Sequence, residues 1–129
     1  MKHHLHIAIA DDDGVCREFL FRMLWRMGHE VVCLAENGRQ LADFCLKSPP
    51  DLVITDVRMP ELDGISAAAE ITWQHNVPIV LVSGSDLPKE IEPLNHVQVL
   101  VRRFKPISLF DLEAAIAEVM ALSDTVAAA

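Results

Sequence analysis

DLVITDVRMPELDG, residues 51 to 64, is the stretch on which the reading of this chain turns. Leu52 to Thr55 are apolar or β-branched at successive positions, which suits a strand buried on both faces. Asp56 stands where that strand should end. Met59-Pro60 then interrupts the chain, and Asp63 before Gly64 opens a helical pattern as an N-cap. Alone, Asp56 reads as a turn or capping residue, the usual role of a loop aspartate. The alternative is a reactive carboxylate held at the edge of a sheet.

Working outward, the same strand-then-helix unit recurs. Further apolar runs are LHIAIA (5–10), EVVCLA (30–35), PIVLV (78–82) and VQVLV (97–101). Helical patterns fill the gaps. Asp13 can cap 14–27, where Cys16, Leu20, Met23, Leu24 and Met27 form one stripe and Gly28 marks the stop. Asn37 can cap 38–47, ahead of Ser48-Pro49-Pro50, and Asp63 can cap 64–75. Ser108 with Asp111 starts a helix to about residue 122. Pro88 and Pro93 leave 86–95 room for a turn or two, so the fourth helix is expected to be short or irregular.

Alternating strands and helices imply an α/β fold with a parallel sheet, right-handed crossovers and helices on both faces. Five such units fit a doubly wound, flavodoxin-like fold with strand order 2-1-3-4-5, an order taken from fold knowledge rather than from periodicity. Ligands then bind beyond the carboxyl ends of strands 1 and 3. The expected domain is 1–122, with 123–129 as a C-terminal tail or the start of a linker.

At 129 residues and 51% hydrophobic content, the chain is one folded domain rather than a disordered segment. Its apolar runs are short and broken by charges, so no membrane span is expected. The N-terminal apolar stretch runs straight into three aspartates, unlike a secretory signal, which leaves a cytoplasmic location as the expectation. Cys16, Cys33 and Cys45 lack paired spacing and read as free thiols. His3, His4 and His6 have no spaced partner for a designed metal site. A net charge of −8 argues against direct nucleic-acid binding.

The strand ends carry a selective set of polar residues. Strand 1 ends in Asp11-Asp12-Asp13, strand 3 in Asp56, strand 4 in Ser83-Gly84-Ser85, and strand 5 runs into Lys105-Pro106. Converging carboxylates repel one another unless one is protonated or a cation binds. Carboxylate oxygens without a Cys or His cluster suit Mg²⁺, with Mn²⁺ as a substitute. Lys105, Ser83 and the Gly84 backbone on the opposite rim complete the donors of a phosphoryl site. Asp56, central among them, is the candidate nucleophile for an acyl phosphate.

In this order, IAIADDD, DLVITDVRMPELDG, PIVLVSGS and RFKP resemble the receiver domain of two-component response regulators, the CheY-like family, over roughly residues 5 to 122. The resemblance implies that Asp56 accepts a phosphoryl group from a phosphohistidine on a histidine kinase or histidine phosphotransfer protein. It implies that Asp11, Asp12, Asp56 and the backbone carbonyl of Arg58 hold Mg²⁺. Ser83 and Lys105 would bind the phosphoryl group, the peptide before Pro106 would be cis, and Pro60 and Gly64 would shape the loop. Arg58 and Ser85, each two residues beyond a site residue, would tune the phosphoryl lifetime. A downstream effector or output domain is the implied recipient of the signal, and the chain would catalyse only its own phosphorylation and dephosphorylation.

Two features depart from the family. Arg102 occupies the position, three before Lys105, where the family usually has a Tyr or Phe coupled to Ser83. The proline-broken 86–95 segment also weakens the usual output and dimer surface. On the first helix, Val15 and Phe19 flank the core stripe near the acidic end and are candidates for docking a phosphodonor helix, while Phe21 and Trp25 lie on the other flank. An aspartyl-nucleophile phosphatase would need a second Asp in Asp56-Val57-Arg58, and a flavin site would need a Ser/Thr-rich loop after strand 1. A pseudo-receiver serving only as an interaction module is the alternative that the intact Asp11, Asp12, Asp56, Ser83 and Lys105 set opposes.

Overall fold

Strands that are apolar at every position must be covered twice, and that requirement organises the molecule. The computed structural model describes residues 4–84, 87 and 91–128. Its strands are β1 (His6–Ala10), β2 (Glu30–Ala35), β3 (Leu52–Asp56), β4 (Ile79–Ser83) and β5 (Leu100–Phe104). They form one sheet in the order β2-β1-β3-β4-β5, with every pairing parallel. The α-helices of the described residues are α1 (Gly14–Arg26), α2 (Gly38–Lys47), α3 (Gly64–Thr72) and α4 (Leu109–Ala128).

Side chains of one strand alternate between two cores. Ile7, Ile9, Leu52, Ile54, Val80 and Val82 pack with Leu20 and Leu24 of α1 and with Leu112 and Ile116 of α4. Ala8, Ala10, Val53, Ile79 and Leu81 face α2 and α3, meeting Leu41, Cys45, Ala67, Ala68 and Ile71. Every residue of β3 and β4 is buried. Each large aliphatic side chain so enclosed contributes roughly 1.5–3 kcal/mol.

The helix starts follow the expected caps. Asp13, Asn37 and Asp63 accept from Val15, Gln40 and Ser66 N–H groups, each at 2.8 Å. Ser108 and Asp111 bond reciprocally, the Asp111 N–H to Ser108 Oγ at 3.0 Å and the Ser108 N–H to Asp111 Oδ2 at 3.3 Å. Between β4 and β5, the described residues form one 3-10 turn, Glu92–Leu94, with Pro93 in its first turn.

Some boundaries differ from the sequence reading. β5 starts at Leu100 rather than 97, because Val97 and Val99 pack into the two cores from a bend below the strand. The Val97 N–H closes that bend onto Leu94 O at 3.0 Å. Helix α3 stops at Thr72, where Trp73 caps it and the Thr72 hydroxyl donates back to Ala68 O at 2.6 Å. Helix α4, expected to end near 122, continues to Ala128, because Val126 still packs against the first core.

Candidate functional site

The parallel order brings the carboxyl ends of β1 and β3 side by side, with β4 and β5 beyond them. Register places Asp56 opposite Val82, so Ser83 is one step further out on β4 and pairs with Phe104 of β5. Asp11 is buried, Asp12 is exposed, and Asp56 keeps 9% of its surface. One carboxylate oxygen from each of the three lies within 4.8 Å of the other two.

Lys105 enters from the loop after β5. Its Nζ donates to Asp11 Oδ2 at 2.9 Å and to Asp56 Oδ2 at 3.2 Å. Burial alone would lower the Lys105 pKa, but the bonds to Asp11 and the attraction of both carboxylates push it up to about 12. The Asp56 carboxyl is raised above its ordinary value, first by burial and then by Asp11, despite the opposing pull of Lys105 and the Val57 N–H. The lysine sits nearer Asp11 than Asp56, so it offsets only part of that burial cost. Three carboxylates against one ammonium leave a negative surplus in a half-enclosed site. A hard divalent cation with oxygen ligands offsets that surplus, so the donor set fits Mg²⁺.

Close backbone packing fixes the loop after β3. A Cβ on Gly64 would stand 1.9 Å from Asp56 O, so α3 starts flush against the end of the strand. The Gly64 N–H bonds Val57 O at 2.7 Å, and the Val57 N–H donates to Asp56 Oδ1 at 2.8 Å. Between them Glu61 takes a left-handed φ of 69°, and the Leu62 N–H folds back onto Pro60 O at 2.7 Å. Arg58 is exposed in this loop. The Lys105–Pro106 peptide is cis, and the Lys105 N–H donates to Ser83 O at 2.8 Å. Gly84 is exposed beside Ser83, and Ser85 lies outside the described residues.

A cavity of about 520 Å³ adjoins the carboxylates between α1 and the loop after β5. Val15, Cys16, Phe19 and Ile107 line it, and it reaches Asp11 and Lys105. Val15 is 80% exposed and Phe19 38%, so both candidate docking residues border the acidic site. Trp25 is also exposed, whereas Phe21 packs against the core.

Sequence reading passes over three features of this end. Gly38 touches the site loop, where a Cβ would meet Leu62 O at 2.0 Å. Phe104 and Phe110 are exposed on either side of the loop after β5. Arg17 reaches the carbonyl of Asp11, a contact no spacing rule announces. Among the described residues no helix is long and apolar enough to cross a membrane.

A family model described as the response regulator receiver domain matches residues 7–117. Transcriptional regulatory protein PdtaR of Mycobacterium tuberculosis is 36% identical over 110 residues, covering 85% of this chain and 54% of that protein. A protein-glutamate methylesterase/protein-glutamine glutaminase of Archaeoglobus fulgidus is 34% identical over 79 residues, which cover 61% of this chain and 23% of that protein. The chain thus spans about half the length of the first relative and about a quarter of the second. Among solved structures, the N-terminal domain of a response regulator/sensory box/GGDEF 3-domain protein of Carboxydothermus hydrogenoformans superposes with a TM-score of 0.83. It shares 20% identity and covers 95% of this chain and 98% of that one, which speaks for the fold alone.

Proposed function

The chain belongs to the response regulator receiver domain family, and on that premise we propose that it is a phosphorylatable switch whose phosphoacceptor is Asp56. It is the receiver domain of a regulator rather than a member of a catalytic family. The observation that carries the proposal is the triangle of Asp11, Asp12 and Asp56 oxygens closed on one side by the Lys105 ammonium.

The donor is a phosphohistidine of a histidine kinase or histidine phosphotransfer protein. A carboxylate oxygen of Asp56 attacks phosphorus, the P–N bond breaks, and the imidazole leaves with its electron pair. Mg²⁺, when bound, would offset the charge of the phosphoryl group, and Asp11, Asp12, Asp56 and the Arg58 carbonyl would hold it. Lys105 is already poised between two carboxylates and needs only to exchange one for a phosphoryl oxygen. The Ser83 hydroxyl and the Gly84 N–H supply further donors to that oxygen set. The same site returns the group to water, with Arg58 and Ser85 flanking the approach and setting the lifetime. Pro60, Gly64 and Pro106 keep the two site loops in shape.

The apolar cavity beside Asp11 supports docking of the donor on α1, with Val15 and Phe19 as its contacts. The functional unit extends through α4, past the boundary expected at 122. The regulated partner is a downstream effector or output domain, in the cytoplasm, without direct contact to nucleic acid or membrane. One transfer assay from a phosphorylated donor protein tests both parts. Asp56→Asn should accept no phosphoryl group, and Phe19→Ala should slow transfer from the protein donor while leaving phosphorylation by a small acyl phosphate unchanged. Label retained on Asp56→Asn overturns the phosphoacceptor, and unchanged transfer to Phe19→Ala overturns the docking surface.

A further inference from the structure

Arg17 has no part in the scheme so far, yet it touches the backbone of the acidic turn. Its Nη1 donates to the carbonyl of Asp11 at 2.8 Å, and its Nη2 stands 3.5 Å from the Glu36 carboxylate in the loop after β2. The guanidinium is mostly enclosed, with 21% of the side chain exposed. Two peptide planes flank Asp12. The preceding plane carries the Asp11 carbonyl that Arg17 holds, and the following plane carries the Asp13 N–H that Asp11 Oδ1 holds at 2.9 Å. A residue has two soft backbone dihedrals, so pinning both planes fixes the direction of its Cα–Cβ bond. Asp12 is exposed, and core packing does not orient it.

We infer that Arg17 is a positioning residue for the cation site, aiming the Asp12 carboxylate through the backbone; this rests on the reading of Asp11, Asp12 and Asp56 as metal ligands. The inference has a sign that simple electrostatics reverses. Arg17 is a cation near the site, so deleting its charge should tighten divalent-metal binding by Coulomb's law alone. Deleting the clamp should loosen Asp12 and weaken binding, as loss of a residue behind a metal ligand commonly does.

The experiment is Mn²⁺ titration by electron paramagnetic resonance, at a temperature where thermal melts show every variant folded. Arg17→Gln should bind Mn²⁺ about 10–100-fold more weakly than the native chain. Arg17→Lys keeps the charge and one donor, and should fall between the two. Glu36→Gln leaves the Asp11 carbonyl bond intact and should stay within about twofold of native, as expected for an exposed ion pair. Binding by Arg17→Gln as tight as native, or tighter, overturns the inference. A loss in Glu36→Gln equal to that in Arg17→Gln also overturns it, by moving the effect to the β2–α2 loop. If Asp12→Asn binds Mn²⁺ like the native chain, or the native chain binds none, the cation-site reading fails and takes this inference with it.

Discussion

The two edges of the sheet hold similar residues and treat them in opposite ways. At the N-terminal edge, the His6 ring lies 3.1 Å from Glu30 and 3.4 Å from Asp51, one carboxylate on each nitrogen. Asp51 Oδ2 also accepts the His6 N–H at 2.8 Å, and the buried His29 Nδ1 accepts the Leu5 N–H at 3.1 Å. The ionisable groups there close the backbone of β1, and each named carboxylate has a local partner. At the C-terminal edge, Asp11, Asp12 and Asp56 converge on a single described ammonium, Lys105. At one end the carboxylates are tied separately to an imidazole and a strand N–H. At the other, three of them crowd within 4.8 Å of one another, the condition in which a cation binds.

The sharpest way to break that contrast is to remove the ammonium. Lys105→Met leaves Asp11 and Asp56 facing each other without compensation, and should cost about 2 kcal/mol of stability in the absence of divalent cations. Adding Mg²⁺ should restore most of the loss, because the ion relieves the same repulsion. A urea midpoint insensitive to both the substitution and Mg²⁺ would show that the edge carries no electrostatic surplus.

A smaller effect of opposite sign is expected at Asp56. Its folded pKa is raised, by burial first, so charging it disfavours the fold. That penalty is absent below the unfolded carboxyl value of roughly 3.9 and complete above the raised folded value. Asp56→Asn should therefore be more stable than the native chain at pH 7. The gain should fade as pH falls through the carboxylate range. Calorimetric melts across pH check it, and a variant less stable than native at pH 7 contradicts the sign.

Much of this contrast was legible in the chain because the signals are local. Asp13, Asn37, Asp63 and the Ser108/Asp111 pair cap helices wherever they stand, and β3 and β4 carry apolar runs up to their polar ends because both faces are covered. The acidic pair, Asp56 and Lys105 were identifiable once the strand ends were placed together. What escaped depends on three-dimensional neighbours. Val97 and Val99 look like strand residues but serve two cores from a bend, so β5 starts three residues late. Arg17 reads as a solvated helix residue until the Asp11 carbonyl is seen beneath it. Gly38 reads as part of an N-cap until Leu62 is found against it.

The contrast between the edges is tested most directly by incubating the chain with a small acyl phosphate donor, with and without Mg²⁺, and locating the phosphoryl group by peptide mapping. The native chain and Asp51→Asn, altered only at the N-terminal edge, should each take up one Mg²⁺-dependent, hydroxylamine-labile group at residue 56, and Asp56→Asn should take up none. Phosphorylation that persists in Asp56→Asn, or that proceeds equally well without Mg²⁺, would contradict the account.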